Sequence, residues 1–403
     1  MKILIFWEQD YYGGVDKHLI ELLKTWPNKS DQITILTNEE NEAANSFTNK
    51  KEFLQKKLKV VKFKSFSHNI INFKLRKFKI LQYFLYPLLP LLFFLNLNLI
   101  KKLLNDFKDH EIIISNNGGY PASWNCIASI IAAKKIGITK RFLLIHHESS
   151  DFFFLLKWFH KIVDKLLSNS VSKIICVSKS TKNSFLKKRF VKVKQTKIKV
   201  IYNTLEIKKP KKKFNLRARF KINKQKMIIG VISRIEPYKG HMEFINSISN
   251  IDKSHLDKIH VLIVGKGYGN FQKILKNKVK KLNLEDKITF TGFIPEASEN
   301  IISQFDLLVN PTQTFEGFGL SILEAINLKI PVIATKVGAI EEVFGERNIN
   351  IISNKNINAM SLKIKMFIND NNFFKKKAYT AFKFFSSNYK PMSKEYRNLL
   401  LKN

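Results

Sequence analysis

Acid is scarce in this sequence. Asp and Glu together number 32 against 70 Lys and Arg in 403 residues, a formal net charge of +38. A chain so basic either carries lysine as part of a general drift toward Lys, Ile, Asn and Phe, or meets an anionic partner such as nucleic acid, acidic lipid headgroups or a phosphate-bearing substrate. Nowhere do two aspartates stand one residue apart, so no Asp-x-Asp pair is at hand to hold a divalent ion on a diphosphate. Cysteine is nearly absent. Cys126 and Cys176 lie in separate apolar segments with no Cys-x-x-Cys spacing and no histidine pairing, and they read as small buried residues in a reducing compartment. No leader is expected either. Met1–Trp7 holds one lysine and a short apolar run before acid and glycine, so no signal peptide is expected and the protein is expected in the cytoplasm.

Only one apolar stretch is long enough to span a bilayer, Ile80–Ile100. Gln82, Pro87, Pro90, Asn96 and Asn98 interrupt it, and both flanks are basic, so neither orientation is favoured. A crossing would also separate the strands before it from those after it, and one sheet could not form. The stretch therefore reads either as a basic, aromatic-rich surface segment lying on an anionic membrane or as a partly buried helix.

What is present is a repeated alternation of strand and helix. Short apolar runs fit buried parallel strands at Lys2–Trp7, Gln32–Thr37, Leu58–Phe63, Glu111–Ser115, Arg141–Ile145, Lys173–Val177 and Lys199–Tyr202. Helical patterns lie between them, with Ser178 a candidate N-cap. A basic, poorly periodic stretch, Glu206–Lys226, reads as a linker with a solvated face. The alternation then restarts at Met227–Ile232, His260–Val264, Lys287–Thr291, Phe305–Val309 and Pro331–Thr335, and the segments from Asn350 onward read as helical. Such a chain predicts two doubly wound, Rossmann-like α/β domains facing across a cleft.

Functional groups gather at the ends of these strands. Asn310–Asn327 runs strand, glycine loop, helix, the geometry that offers backbone N–H groups and a helix dipole to an anion. Glu316 and Glu324 flank it, and carboxylates repel phosphate, so their targets are neutral hydroxyls. The loop suits a nucleotide sugar. Arg234 and Lys239 leave the tip of Met227–Ile232, where they could neutralise a diphosphate, although two cations in so basic a chain carry little weight by count. Gly13-Gly14 opens a helix after the first strand, a weak signal alone. His146-His147-Glu148 ends another strand and faces the crevice of an open sheet, or is simply a surface pair.

In this order and spacing, Ser233-Arg234 to Lys239-Gly240, Val264-Gly265 to Gly267, Phe290 to Gly292, Glu316-x7-Glu324, Pro331 to Thr335 and Val337-Gly338 to Glu342 resemble the retaining GT-B glycosyltransferases of family 4. That family includes many enzymes of lipopolysaccharide, capsule and glycolipid assembly, and the resemblance covers nearly the whole chain. It implies a nucleotide-sugar donor and a lipid-linked or polysaccharide acceptor. Glu324 would bind the donor ribose, and Glu316 would lie at the hydroxyls of the transferred sugar. The N–H groups of Phe318, Gly319 and Leu320 would meet sugar and diphosphate, with Gly265 and Asn203 also on the donor side. Arg234 and Lys239 would hold the diphosphate and stabilise its developing charge. Gly13 and Gly14 would close on the phosphate. His147, favoured over His146 because an acid follows it, would contact the sugar near the reacting carbon. The sequence departs from the family at Gly338-Ala339, at Glu341 where a proline is usual, and at Asn203-Thr204, which bears on fine donor contacts.

The resemblance also implies retention of configuration, through a short-lived ion pair with the leaving phosphate accepting the acceptor's proton. No cofactor and no metal are expected, since side chains and helix ends supply the positive charge. Expected boundaries are 1–205 for an acceptor-side domain, 206–375 for a nucleotide-sugar-binding domain and 376–403 for a helical segment packing back toward the first. Peripheral contact with the anionic inner face of the cytoplasmic membrane fits the basic, aromatic surface. Two alternatives stand beside this reading. One is a sugar-nucleotide epimerase of the same fold. The other is a basic nucleic-acid-binding protein, disfavoured because the charge is spread over the whole chain with no recognised binding module.

Overall fold

The computed structural model describes residues 1–9, 13–49, 53, 57–64, 86–152, 154–194, 197–206, 214–267, 269–294 and 298–402. The chain forms two compact units, one of residues 1–203 with 391–403 and one of residues 204–390.

In the first unit, runs rich in Ile, Leu and Val form seven strands: β1 (Lys2–Trp7), β2 (Gln32–Asn38), β3 (Leu58–Phe63), β4 (Ile112–Asn117), β5 (Lys140–Ile145), β6 (Lys173–Cys176) and β7 (Ile198–Val200). They pair in the order β3-β2-β1-β4-β5-β6-β7, and every pairing is parallel. Helices α1 (Gly14–Lys24), α2 (Leu89–Asn105), α3 (Trp124–Lys135), α4 (Lys157–Ser170) and α5 (Lys179–Lys188) connect them. Strands covered on both faces must be apolar along their length, and Ile3 to Trp7 are all buried. The strand order reverses direction between β1 and β4, the place where open α/β sheets bind ligands at their carboxyl ends.

The second unit repeats the plan with β8 (Met227–Ile232), β9 (Ile259–Val264), β10 (Ile288–Gly292), β11 (Leu307–Asn310), β12 (Val332–Thr335) and β13 (Asn350–Ile352) in the parallel order β10-β9-β8-β11-β12-β13. Its helices include α6 (His241–Ser249), α7 (Phe271–Lys281), α8 (Leu320–Asn327), α9 (Ile340–Asn348), α10 (Ile357–Asn369) and α11 (Asn371–Asn388). The last helix, α12 (Met392–Leu401), belongs to the first unit. There Ser393 Oγ donates to the Thr25 carbonyl (2.7 Å) and Arg397 Nε to Asp31 (2.9 Å).

Two expectations need correction. Asn350–Ile352 is a strand, held by pairing with β12; three residues beginning with Asn carry too little pattern to be read as one. The linker is not wholly a solvated face either. Its second half holds a short helix, Leu216–Arg219, whose Leu216 is buried, and Arg217 donates to the Asn223 and Lys226 carbonyls. The basic stretch Lys50–Lys79 and the start of Ile80–Ile100 fall largely outside the described residues. From Leu89 that segment is α2, buried along Phe93, Leu97, Ile100 and Leu104. Among the described residues no helix is long and apolar enough to cross a membrane.

Candidate active site

The loop after β11 is fastened before it turns. Asn310 Oδ1 accepts from Thr312 Oγ1 (2.8 Å), and the Gln313 amide donates to the Tyr238 carbonyl (2.8 Å). The buried Gln313 side chain reaches the Pro311 carbonyl (2.6 Å), and the Lys355 amide reaches its oxygen (2.6 Å). The Gln313–Tyr238 bond ties the loop carrying Glu316 to the loop carrying Arg234 and Lys239, and the others brace the chain around Gln313. As a result Lys239 Nζ sits 2.8 Å from the Glu316 carboxylate, which Thr312 Oγ1 also approaches at 3.4 Å. Burial, the largest single influence, acts to lower the Lys239 pKa, but the charge and hydrogen bond of Glu316 together with Tyr238 raise it further, and the net shift is upward. Lys239 is a fixed cation. Arg234, more exposed, donates to the Tyr238 hydroxyl (3.0 Å) and lies 3.4 Å from Glu236.

Two glycines let these loops close on one another. A Cβ on Gly265, which follows β9, would lie 1.8 Å from the Ser233 carbonyl oxygen, and one on Gly338 would lie 2.2 Å from that of Glu316. Both have positive φ, +150° and +55°, so any side chain there would push apart two strand-end loops. The Ala339 amide donates to the Glu316 carbonyl at 2.9 Å, which makes Gly338-Ala339 the floor under Glu316.

Helix α8 begins at Leu320 with Gly319 as its N-cap, and its first amides have no carbonyl one turn back. Phe318 turns its ring inward against Phe344 (6.1 Å between centroids). Glu324, on the first full turn, is buried and takes a short hydrogen bond from Ser298 Oγ. Sequence reading missed Ser298, Thr312 and Gln313. Polar residues in loops are common, and their partners here lie in other loops, so nothing local marked them out.

The first unit collects a second group. Gly13 caps α1 and its amide donates to Asp16 Oδ2 (2.5 Å), which Gln9 Nε2 also meets (2.9 Å). Gly14 is the first residue of the helix. His146 is buried, its Nε2 2.7 Å from Asn116 Oδ1, with its ring 4.5 Å from that of His18. His18 is fully buried between Asn203 Oδ1 (2.7 Å from Nδ1) and the Tyr396 hydroxyl of α12 (3.3 Å from Nε2). Burial holds the His18 pKa down to about 4, partly offset by Asn203, and holds His146 well below the usual range, with the neighbouring His18 and His147 adding to the effect. Both rings are neutral at pH 7. His147 keeps partial exposure, and the following Glu148 pairs with Lys188 (2.6 Å). Asn203 Oδ1 is thus engaged by His18 inside the first unit. His18 and Tyr396 were not foreseen; a histidine on the apolar stripe of α1 was the available signal. Among the described residues no cluster of three or more His, Cys, Asp or Glu is placed to hold a metal. Cys126 and Cys176 are free and buried, and burial pushes both thiols up to about 12.

Residues 12–209 match the family described as Glycosyltransferase Family 4, and residues 212–383 match Glycosyl transferases group 1. Each of the two Rossmann-like units is matched by one of these family models, and two such units make the GT-B fold. Together the two models span most of the chain, and it belongs to the group 1 glycosyltransferases. Among curated relatives it is 26% identical to the poly(ribitol-phosphate) alpha-N-acetylglucosaminyltransferase of Staphylococcus aureus over 67% of this chain and 50% of that protein. It is 32% identical to the O-antigen biosynthesis glycosyltransferase WclY of Escherichia coli over 34% of this chain and 36% of that one. The chain thus spans about half or less of these two relatives' length. In fold it is similar to HepE of Anabaena, solved with UDP and glucose, at a TM-score of 0.74 and 18% identity over 99% of both chains.

Proposed function

We propose that this enzyme moves a sugar from a UDP-sugar to a lipid-linked or polysaccharide acceptor in cell-envelope glycan assembly, with retention of configuration and without a metal ion. The observation that carries the reading is the Lys239–Glu316 pair, whose Glu316 lies in the loop that leads into α8. A buried cation, an exposed Arg234 and the helix end together offer a diphosphate the charge that a metal would otherwise supply. Glu324 takes the ribose hydroxyls, with Ser298 fixing its carboxylate. Glu316 takes a hydroxyl of the transferred sugar. On the acceptor side His147, the exposed member of its pair, contacts the sugar near the reacting carbon, while the buried His146 positions it from within. As the glycosidic bond breaks, its electrons pass to the departing phosphate, which takes the proton of the attacking acceptor hydroxyl.

The relatives named above support the acceptor class, since their names concern ribitol-phosphate polymer and O-antigen, and HepE, solved with UDP, supports the base. Such acceptors are assembled at membranes, and the basic chain works against an anionic lipid surface. A thermal-shift screen against UDP-, GDP- and ADP-sugars tests the donor: a UDP-sugar raises the melting temperature most, with or without EDTA. Stabilisation by a GDP- or ADP-sugar alone, or only with divalent metal, contradicts the proposal.

A further inference from the structure

We infer that the outer face of α2 and α4 is the surface by which this enzyme docks on an anionic bilayer. The inference rests on the membrane reading above and names the residues that make the contact. Helix α2 is apolar on both sides. Phe93, Leu97, Ile100 and Leu104 enter the core, yet Leu91, Phe94, Leu95 and Leu99 stand exposed on the opposite side, Leu91 at 59% and Leu95 at 51%. A helix on the surface of a globular domain ordinarily carries polar residues there. Helix α4 adds Trp158 and Ile162, one turn apart and also exposed, and Phe154 (84%) and Leu155 lead into it. The two helices are neighbours: both pack on α3, and the inward rings of Phe93 and Phe159 meet at 5.5 Å. Their exposed apolar residues therefore lie on one helical layer, more of them than the scattered surface leucines of an ordinary domain.

Charge decides what covers it. Lys157, Lys161 and Lys165 flank the Trp158–Ile162 stripe, and Lys101 and Lys102 close the end of α2. Neither helix exposes an acid. Residues 89–105 contain none, and the single acid of α4, Asp164, is buried against Arg189. Asp106 and Asp151 lie beyond the helix ends. Basic stems around an apolar centre are the pattern of an interfacial surface that seats on acidic headgroups. A second copy of a chain carrying +38 would meet like charge across the same face. Nucleic acid would use the lysines and an aromatic or two, but would leave the leucines unburied.

The protein carries its own reporter. Of its four tryptophans, Trp7, Trp26 and Trp124 are buried and Trp158 is 54% exposed. Vesicles of phosphatidylglycerol and phosphatidylcholine should shift the emission of the intact protein to the blue, and brominated acyl chains should quench it. Trp158→Phe should abolish both signals while the protein still co-sediments. Leu95→Ser, Trp158→Ser and Ile162→Ser combined should lower vesicle partition by about 100-fold or more. Lys157→Glu, Lys161→Glu and Lys165→Glu combined should lower it by at least about fivefold per lysine. Both sets should keep the wild-type melting temperature and its shift with UDP-sugar, which separates loss of docking from loss of the fold or of the donor reading. The inference is overturned if acidic vesicles leave the emission unchanged, if partition survives the serine substitutions, or if the face instead mediates self-association or oligonucleotide binding that those substitutions abolish. Docking without any response to a nucleotide sugar would support the face and contradict the proposed function.

Discussion

Lys239 and Glu316, 77 residues apart in sequence, form a 2.8 Å ion pair at adjoining strand-end loops of the second unit. Each side chain is only 14% exposed, so each depends on the other for its charge to be tolerated. A diphosphate entering this loop must share Lys239 with Glu316. Replacing Glu316 by Gln should release the lysine: UDP affinity, measured by calorimetry, should rise by about three- to tenfold, while turnover of the UDP-sugar falls by about 100-fold. Lys239→Gln should weaken UDP instead. Equal weakening of UDP by both changes would mean that the pair is a structural brace only.

Glu324 is buried, with Ser298 as its partner. Ser298→Ala should raise the donor KM by about five- to twentyfold with little change in kcat, because the carboxylate loses its orientation but keeps its place. A fall in kcat at unchanged KM would separate Ser298 from donor binding.

Gly338 supports Glu316 through backbone contact alone. Gly338→Ala places a Cβ 2.2 Å from the Glu316 carbonyl oxygen, far inside contact distance. It should raise the donor KM and destabilise the fold by about 1–3 kcal/mol, read from urea unfolding. A stable variant with wild-type kinetics would show that this loop can move aside.

His18 predicts a pH dependence with a definite sign. Its folded pKa is held down to about 4 by burial, below the 6.5 of the unfolded chain. Between these values the unfolded state binds the extra proton, so the stability tied to the neutral ring is complete above pH 6.5 and is lost as pH falls toward 4. The linked change is about 3 kcal/mol. His18→Gln should flatten the stability profile between pH 4 and 6.5. Unchanged steepness would assign that titration to the other buried histidines, His146, His160, His241 and His260.

Much of this was legible in the sequence because buried parallel strands are written as short unbroken apolar runs. Lys2–Trp7 and Met227–Ile232 match their strands end to end, as does the edge strand Leu58–Phe63 although Lys59 and Lys62 break its run, and the helix expected at Leu320 begins there. Ser178 caps α5 as its position suggested, accepting from the Thr181 amide. What escaped was whatever depends on distant partners. β13 is a strand only because β12 lies beside it. Ser298 meets Glu324 across 26 residues and His18 meets Tyr396 across 378, and no local periodicity carries such contacts. The resemblance favoured His147 over His146 for the acid that follows it, not for any difference in burial. The structure distinguishes its members by burial, with His146 interior and His147 partly exposed.

The most direct test of the account is release of nucleoside diphosphate from the UDP-sugar that most stabilises the protein, compared among wild type, Glu324→Ala and Arg234→Ala. Each substitution should lower kcat/KM by about 100-fold or more while the melting temperature without ligand stays within a few degrees of wild type. Near-normal release by both variants would contradict the assignment of the donor to this loop.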